Sequence, residues 1–168
     1  FPSLEPIDQV AVQFPLTYPY LPGLLSFREA PAVLRALEQL SCLPDVLIAD
    51  GHGWAHPRRF GLACHLGVLL GQPVIGCAKS LLCGEVAEFP QQAGSSASIH
   101  LGAEILGAAV RTRTGINPMY VSVGHKVDLP FAIALVMACV RKYRVPEPIH
   151  LAHHLSIHHR ALGAGPNR

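Results

Sequence analysis

Leu43-Pro44-Asp45-Val46-Leu47-Ile48-Ala49-Asp50-Gly51-His52-Gly53-Trp54-Ala55-His56-Pro57-Arg58-Arg59 is the stretch that decides the fold. Its short apolar run with β-branched members reads as a buried strand over Asp45 to Asp50. That strand delivers Asp50 to its end, where glycines leave room for a ligand beside the backbone. His52, His56, Arg58 and Arg59 bring imidazole and positive charge to the same mouth. An acid at the end of a core strand, followed by glycine and a basic cluster, points to metal-assisted chemistry on an anionic substrate. The alternative for Asp50 alone is a turn that caps the next helix.

Outward from this strand the pattern alternates. Ahead of it, a helix is expected from about Ala30, with Pro31 near its first turn and Val33, Leu34, Leu37 and Leu40 as its apolar stripe. Glu29 stands at that helix entrance, where an acid is favourable with or without a catalytic role. After it, Leu62, Ala63, Leu66, Leu69 and Leu70 mark a second amphipathic helix. The uniformly apolar Pro73 to Ala78 then reads as an interior strand ending at Lys79. Strand, helix and strand in this order imply an α/β fold with two parallel strands joined by a right-handed crossover.

Farther out, Val10, Val12 and Phe14 alternate as in an outer strand over Ile7 to Phe14. Gln91 to Ser98 is expected to be a surface loop. Glu104 to Arg113 and Pro118 to Val123 flank the turn Thr114-Gly115-Ile116-Asn117, and the second of these strands opens onto Gly124-His125-Lys126. A last helix is expected over Pro130 to Tyr143, stopped by Pro146-Glu147-Pro148. The tail histidines His150, His153, His154, His158 and His159 are read as a solvated basic face rather than a metal site.

The 168 residues suffice for one well-buried domain. They are 50% apolar and 14% charged, a folding composition. A net charge of +2 permits nucleic acid as a partner without demanding it. Cys42, Cys64, Cys77, Cys83 and Cys139 have no paired spacing and read as reduced thiols of a cytoplasmic protein. No apolar run reaches the roughly 20 residues that cross a bilayer. Gly76-Cys77-Ala78-Lys79-Ser80 does not fit a phosphate-binding loop, because the lysine does not directly follow the glycine.

Tyr18-Pro19-Tyr20-Leu21-Pro22-Gly23-Leu24-Leu25-Ser26-Phe27-Arg28-Glu29, Asp50-Gly51-His52-Gly53 and His56-Pro57-Arg58-Arg59 together resemble the endonuclease V (deoxyinosine 3′ endonuclease) family. Gly76 to Ser80, Leu82-Cys83-Gly84, Gly124-His125 and Tyr143 to Pro148 extend the resemblance to about Leu155. It implies a ribonuclease-H-like mixed sheet flanked by helices over residues 1–155, followed by a basic, flexible tail over 156–168. It further implies Mg2+-dependent cleavage (Mn2+ as substitute) of inosine-containing DNA or RNA, at the second phosphodiester 3′ to the lesion. The expected state is a monomer away from membranes, unless a partner completes the sheet.

By the same resemblance Asp50 and Glu29 are metal-site acids, Lys79 a phosphate or leaving-group contact, and His125 an active-site histidine. Tyr20, Leu21 and Pro22 are the wedge that parts the strands. The backbone of Gly51, His52 and Gly53 edges the inosine pocket, with His56 and Arg58 on the substrate side. The family places a hairpin carrying a further metal-binding aspartate ahead of the segment where this sequence starts. The sheet is therefore expected to be N-terminally incomplete, and this chain alone is expected to cleave weakly or to be a nucleic-acid-binding remnant.

Overall fold

The computed structural model describes residues 1–15, 18–19, 21 and 23–163. In chain order the elements are α1 (Leu25–Leu37), β1 (Leu47–Ala49), α2 (Leu62–Leu70), β2 (Val74–Ala78), β3 (Glu85–Val86), β4 (Ser96–Leu101), β5 (Glu104–Val110), β6 (Met119–His125), α3 (Leu129–Ala138) and α4 (Glu147–Gly163). One mixed sheet runs in the order β1-β2-β6-β5-β4-β3. β1 and β2 are parallel, with Leu47, Ile48 and Ala49 opposite Val74, Ile75 and Gly76. The other pairs are antiparallel.

The sheet is covered on both faces, which is why β2 is apolar at every position and fully buried. On one face Ile75, Cys77, Val121 and Met119 pack with Ala132 and Val136 of α3 and Ile149 of α4. On the other, Ala49 and Val74 pack with Ala30 of α1 and with Ala63 and Leu66 of α2. Local chemistry fixes the helix ends. Asp128 caps α3 by accepting from the Phe131 amide at 2.8 Å, and α2 ends at Gly71 in the left-handed region, φ 65°.

Several expectations need correction. No strand forms over Ile7 to Phe14, and Ile7 is 91% exposed. Alternation alone makes no strand without a neighbouring ladder, and no described strand runs beside this segment. Asp8 instead accepts the Ser41 amide at 2.7 Å. Helix α1 begins at Leu25 and holds Pro31 inside it. Pro31 is exposed, so the carbonyl it leaves unpaired has access to water. The strand of Asp45 to Asp50 is only three residues long and lies at the margin of the described sheet.

The loop expected over Gln91 to Ser98 gives way at Ser96 to β4, whose polar residues hid a strand with one open face. The last expected helix stops at Ala138, five residues short of Tyr143. Glu147 opens a further helix instead of closing one, because prolines at 146 and 148 suit a helix entrance. Residues 156–163 continue that helix. Residues 164–168 of the expected tail lie outside the described residues.

Candidate active site

The parallel pairing of β1 and β2 brings their C-terminal ends to one sheet edge. Asp50 is the first residue past β1 and Lys79 the first past β2. The Lys79 ammonium donates to Asp50 Oδ2 at 2.5 Å, with each side chain 39% exposed. The pair is therefore open to a ligand from outside. Arg144 is bonded to this edge. Its guanidinium donates to the Lys79 carbonyl at 3.1 Å and the Asn117 carbonyl at 3.0 Å, while its own carbonyl accepts from Thr112 Oγ1 at 2.7 Å.

Glu29 reaches the same edge from α1. Burial raises its carboxyl above the usual range, and the neighbouring negative charge of Asp50 raises it further. Two carboxylates that repel each other in a partly desolvated corner fit a divalent cation, which would relieve both costs. Mg2+ needs only one or two protein carboxylates when substrate phosphates and water complete its shell. Among the described residues, however, no group of three or more His, Cys, Asp or Glu side chains comes together to hold a metal ion.

From Asp50 the chain turns back over the sheet. The Gly53 amide donates to the buried Ser122 hydroxyl at 2.9 Å, and the Trp54 amide donates to the Val123 carbonyl at 2.8 Å. The approach is so close that a Cβ on Gly76 would stand 2.4 Å from the Gly53 nitrogen, and one on Gly53 would stand 2.2 Å from the Val123 carbonyl oxygen. Only hydrogen fits at either position.

Glu104 of β5 holds the far end of the loop. It accepts from Trp54 Nε1 at 2.8 Å and from two Arg59 nitrogens at 2.6 and 2.8 Å. This two-pronged grip secures Arg59 at a left-handed φ of 53°.

Inside the loop, His52 and His56 are both held below the ordinary imidazole range. Burial is the main cause in each, followed by the positive charge of His56 acting on His52 and of Arg58 acting on His56. His52 Nδ1 is buried with no hydrogen-bond partner among the described residues. Arg58 donates to the Gly23 carbonyl at 2.7 Å, which ties the basic mouth to the turn entering α1. Leu21, in that turn, is 42% exposed. Tyr20 and Pro22 lie outside the described residues.

His125 is not at this edge. β6 runs antiparallel to β2, so His125 pairs with Val74 at the start of β2, while Tyr120 lies opposite Ala78 beside Lys79. The five-residue run of β2 separates His125 from Lys79 by about 16 Å at the usual rise per residue. A place for His125 beside Asp50 and Lys79 would require β6 to point the same way as β1 and β2. Ser122, Glu104 and Arg144 carry positioning roles the sequence did not disclose. Arg144 lies just past the expected last helix, where its residue type alone gives no sign of its bonds, and Ser122 lies in an apolar run that gives no sign of its loop contact.

The family model described as Endonuclease V matches residues 1–154. An endonuclease V of Roseiflexus sp. (strain RS-1) is 54% identical over 160 residues, covering 95% of this chain and 72% of the relative. That of Gloeobacter violaceus is 50% identical over 157 residues, covering 93% and 64%. These relatives are thus matched over about two thirds of their length. The crystal structure of the endonuclease V from Streptomyces avermitilis superposes with a TM-score of 0.85 at 46% identity, covering 89% of this chain and 66% of that one. The endonuclease V of Ciona intestinalis, solved in complex with a 24mer DNA containing an inosine followed by a ribo-adenosine, gives 0.72 at 30% identity, covering 87% and 69%.

Proposed function

The chain belongs to the endonuclease V family, and from that premise we propose that it is a metal-dependent repair endonuclease. It cleaves inosine-containing nucleic acid at the second phosphodiester 3′ to the lesion. The observation that carries this reading is the meeting of Asp50, Glu29 and Lys79 at the open end of two parallel strands. The relative from Ciona intestinalis, bound to inosine-containing DNA, supports the choice of substrate.

Asp50 and Glu29 would hold Mg2+, or Mn2+ in its place, and the ion would supply charge neutralisation at the scissile phosphate. Lys79 holds Asp50 along the edge through their ion pair, and presents an ammonium to a phosphate oxygen. The rigid backbone of Gly51, His52 and Gly53 offers polar groups to the edge of an extruded base, including the unpartnered His52 nitrogen. Leu21, with Tyr20 and Pro22, forms the wedge, since an apolar side chain inserted at a base step parts the stack. Arg58 braces Gly23, at the entrance to α1, through its carbonyl, and His56 Nδ1 accepts from the Arg58 amide. His125 has no part at this edge.

A second reading, binding without cleavage, is favoured by the lack of a third metal-ligating side chain among the described residues. One assay separates the two: nicking of an end-labelled inosine-containing strand with Mg2+, comparing wild type with Asp50→Ala. Mg2+-dependent nicking abolished by the substitution supports the nuclease. Retained inosine-selective binding with no nicking in either protein supports the second reading. Nicking that survives Asp50→Ala overturns the assignment of Asp50.

A further inference from the structure

Beyond the loop of Gly51 to Arg59 lies a cavity of about 450 Å³ whose lining includes Glu88, Phe89, Gln91, Arg111, Pro118 and Tyr120. It opens at the same sheet edge as Lys79. Ala78 pairs with Tyr120, and Tyr120 with Ala109, so Arg111 stands just past the end of β5, two strands away. Two inter-strand spacings put it about 10 Å from Lys79. The walls are fixed by backbone bonds: the Gly115 amide donates to the Gln91 carbonyl at 2.9 Å, and the Arg111 amide donates to the Ser95 carbonyl at 2.8 Å.

Arg111 is the unusual member. Its guanidinium lies over the Phe89 ring, 4.8 Å from the centroid, and one nitrogen donates to the Ile116 carbonyl at 2.7 Å. Its Nε is buried without a hydrogen-bond partner among the described residues. A cation held over an aromatic ring, with a buried donor left over, costs stability unless a ligand takes that donor.

We propose that this cavity is a subsite for one unpaired nucleobase of the substrate strand, outside the inosine pocket and the scissile position. The inference rests on the nucleic-acid reading of the edge beside it. An unstacked base finds a flat partner here in the Tyr120 ring, with the Arg111 guanidinium meeting its edge, and aromatic stacking of this kind is how proteins hold single-stranded bases. The Arg111 Nε donates to a ring nitrogen or carbonyl on the base edge, while the Glu88 carboxylate accepts from an exocyclic amine. The Gln91 amide can do either. That mixed lining favours a base over a bare phosphate, which Glu88 would repel.

The test is a binding titration of the 168-residue chain with fluorescent single-stranded oligonucleotides containing inosine. A single abasic residue is moved through each position flanking the inosine, at fixed salt and without metal. The expected result is one position at which base removal weakens binding about tenfold, the size of one lost stacking contact. In Arg111→Met, which keeps the apolar stem, that dependence vanishes and binding of the intact oligonucleotide falls to the abasic level.

Glu88→Gln, at an exposed side chain with little folding risk, is expected to keep the abasic dependence and change which base is preferred there. A flat abasic profile in the wild type overturns the subsite, as does an unchanged profile in a folded Arg111→Met. If Arg111→Met does not fold, unchanged base preference in Glu88→Gln overturns it instead. Preference for inosine over adenosine, read in the same titrations, judges the parent function separately.

Discussion

Replacing Ser122 by alanine removes the one acceptor that the Gly53 amide has among the described residues, and does so at a site with no access to solvent. The donor is then left buried and unpaired, which costs about 1–3 kcal/mol. The Trp54 bond to the Val123 carbonyl survives, so the loop stays on the sheet but loses one of its two central pins. For a chain of this length about 2 kcal/mol corresponds to a drop of about 6 °C in Tm. Urea unfolding should show a lower midpoint with an unchanged slope, the sign of lost stability without a change in compactness. Ser96→Ala, at an exposed strand position, serves as the control and should stay within about 0.5 kcal/mol of wild type. Inosine selectivity should fall in Ser122→Ala, because the backbone proposed to meet the base is the backbone released. A loss below about 0.5 kcal/mol with selectivity intact would refute the claim that this hydroxyl holds the loop.

Other substitutions probe the same edge. Gly76→Ala places a methyl against the Gly53 backbone; a loss of about 1–3 kcal/mol and weaker inosine binding are expected in denaturation and titration experiments. Lys79→Met should change stability by no more than about 1 kcal/mol, because the ion pair is part-exposed, yet reduce nicking at least about tenfold in the end-label assay. Burial, then Arg58, holds His56 below its ordinary value near 6.5, so the unfolded chain takes up that proton first as pH falls. The stability contributed by neutral His56 should be complete above about pH 6.5 and fade as pH drops toward the depressed folded value. Thermal melts of wild type and His56→Gln across that window should converge at the acid end.

Much of the scaffold was legible because burial writes itself into residue type. Val74 to Ala78 is apolar throughout and is buried on both faces, and Leu62 to Leu70 carries its helix on a plain stripe. Asp50 and Lys79 could be placed at a strand end from the polarity change alone. What pattern could not reveal was direction. The run Met119 to His125 looks the same whichever way it points, and only its pairing with β2 sends His125 to the far end. Alternation also misled at Val10 to Phe14, where no ladder partner lies among the described residues, and β4 was missed because its open face carries Ser96, Ser98 and His100.

The residues that organise the site are also the least conspicuous in sequence, and the reason is physical. Asp50, the glycines, His56 and Arg59 lie on one continuous loop, so a force on any of them is passed along the backbone to the others. Apart from Ala55, which packs against Ile99 and Leu106, that loop is held by polar bonds from elsewhere: Ser122 in the middle, Glu104 at the far end and Lys79 at the start. Each of these belongs to a different strand or strand end, separated in sequence and joined only by the sheet. The base recognition and phosphate chemistry proposed for this edge would therefore share one support. Loosening Ser122 or Glu104, neither of which is proposed to touch substrate, should degrade inosine selectivity and cleavage together. Loss of Lys79, which meets Asp50 directly, should lower cleavage while selectivity is kept.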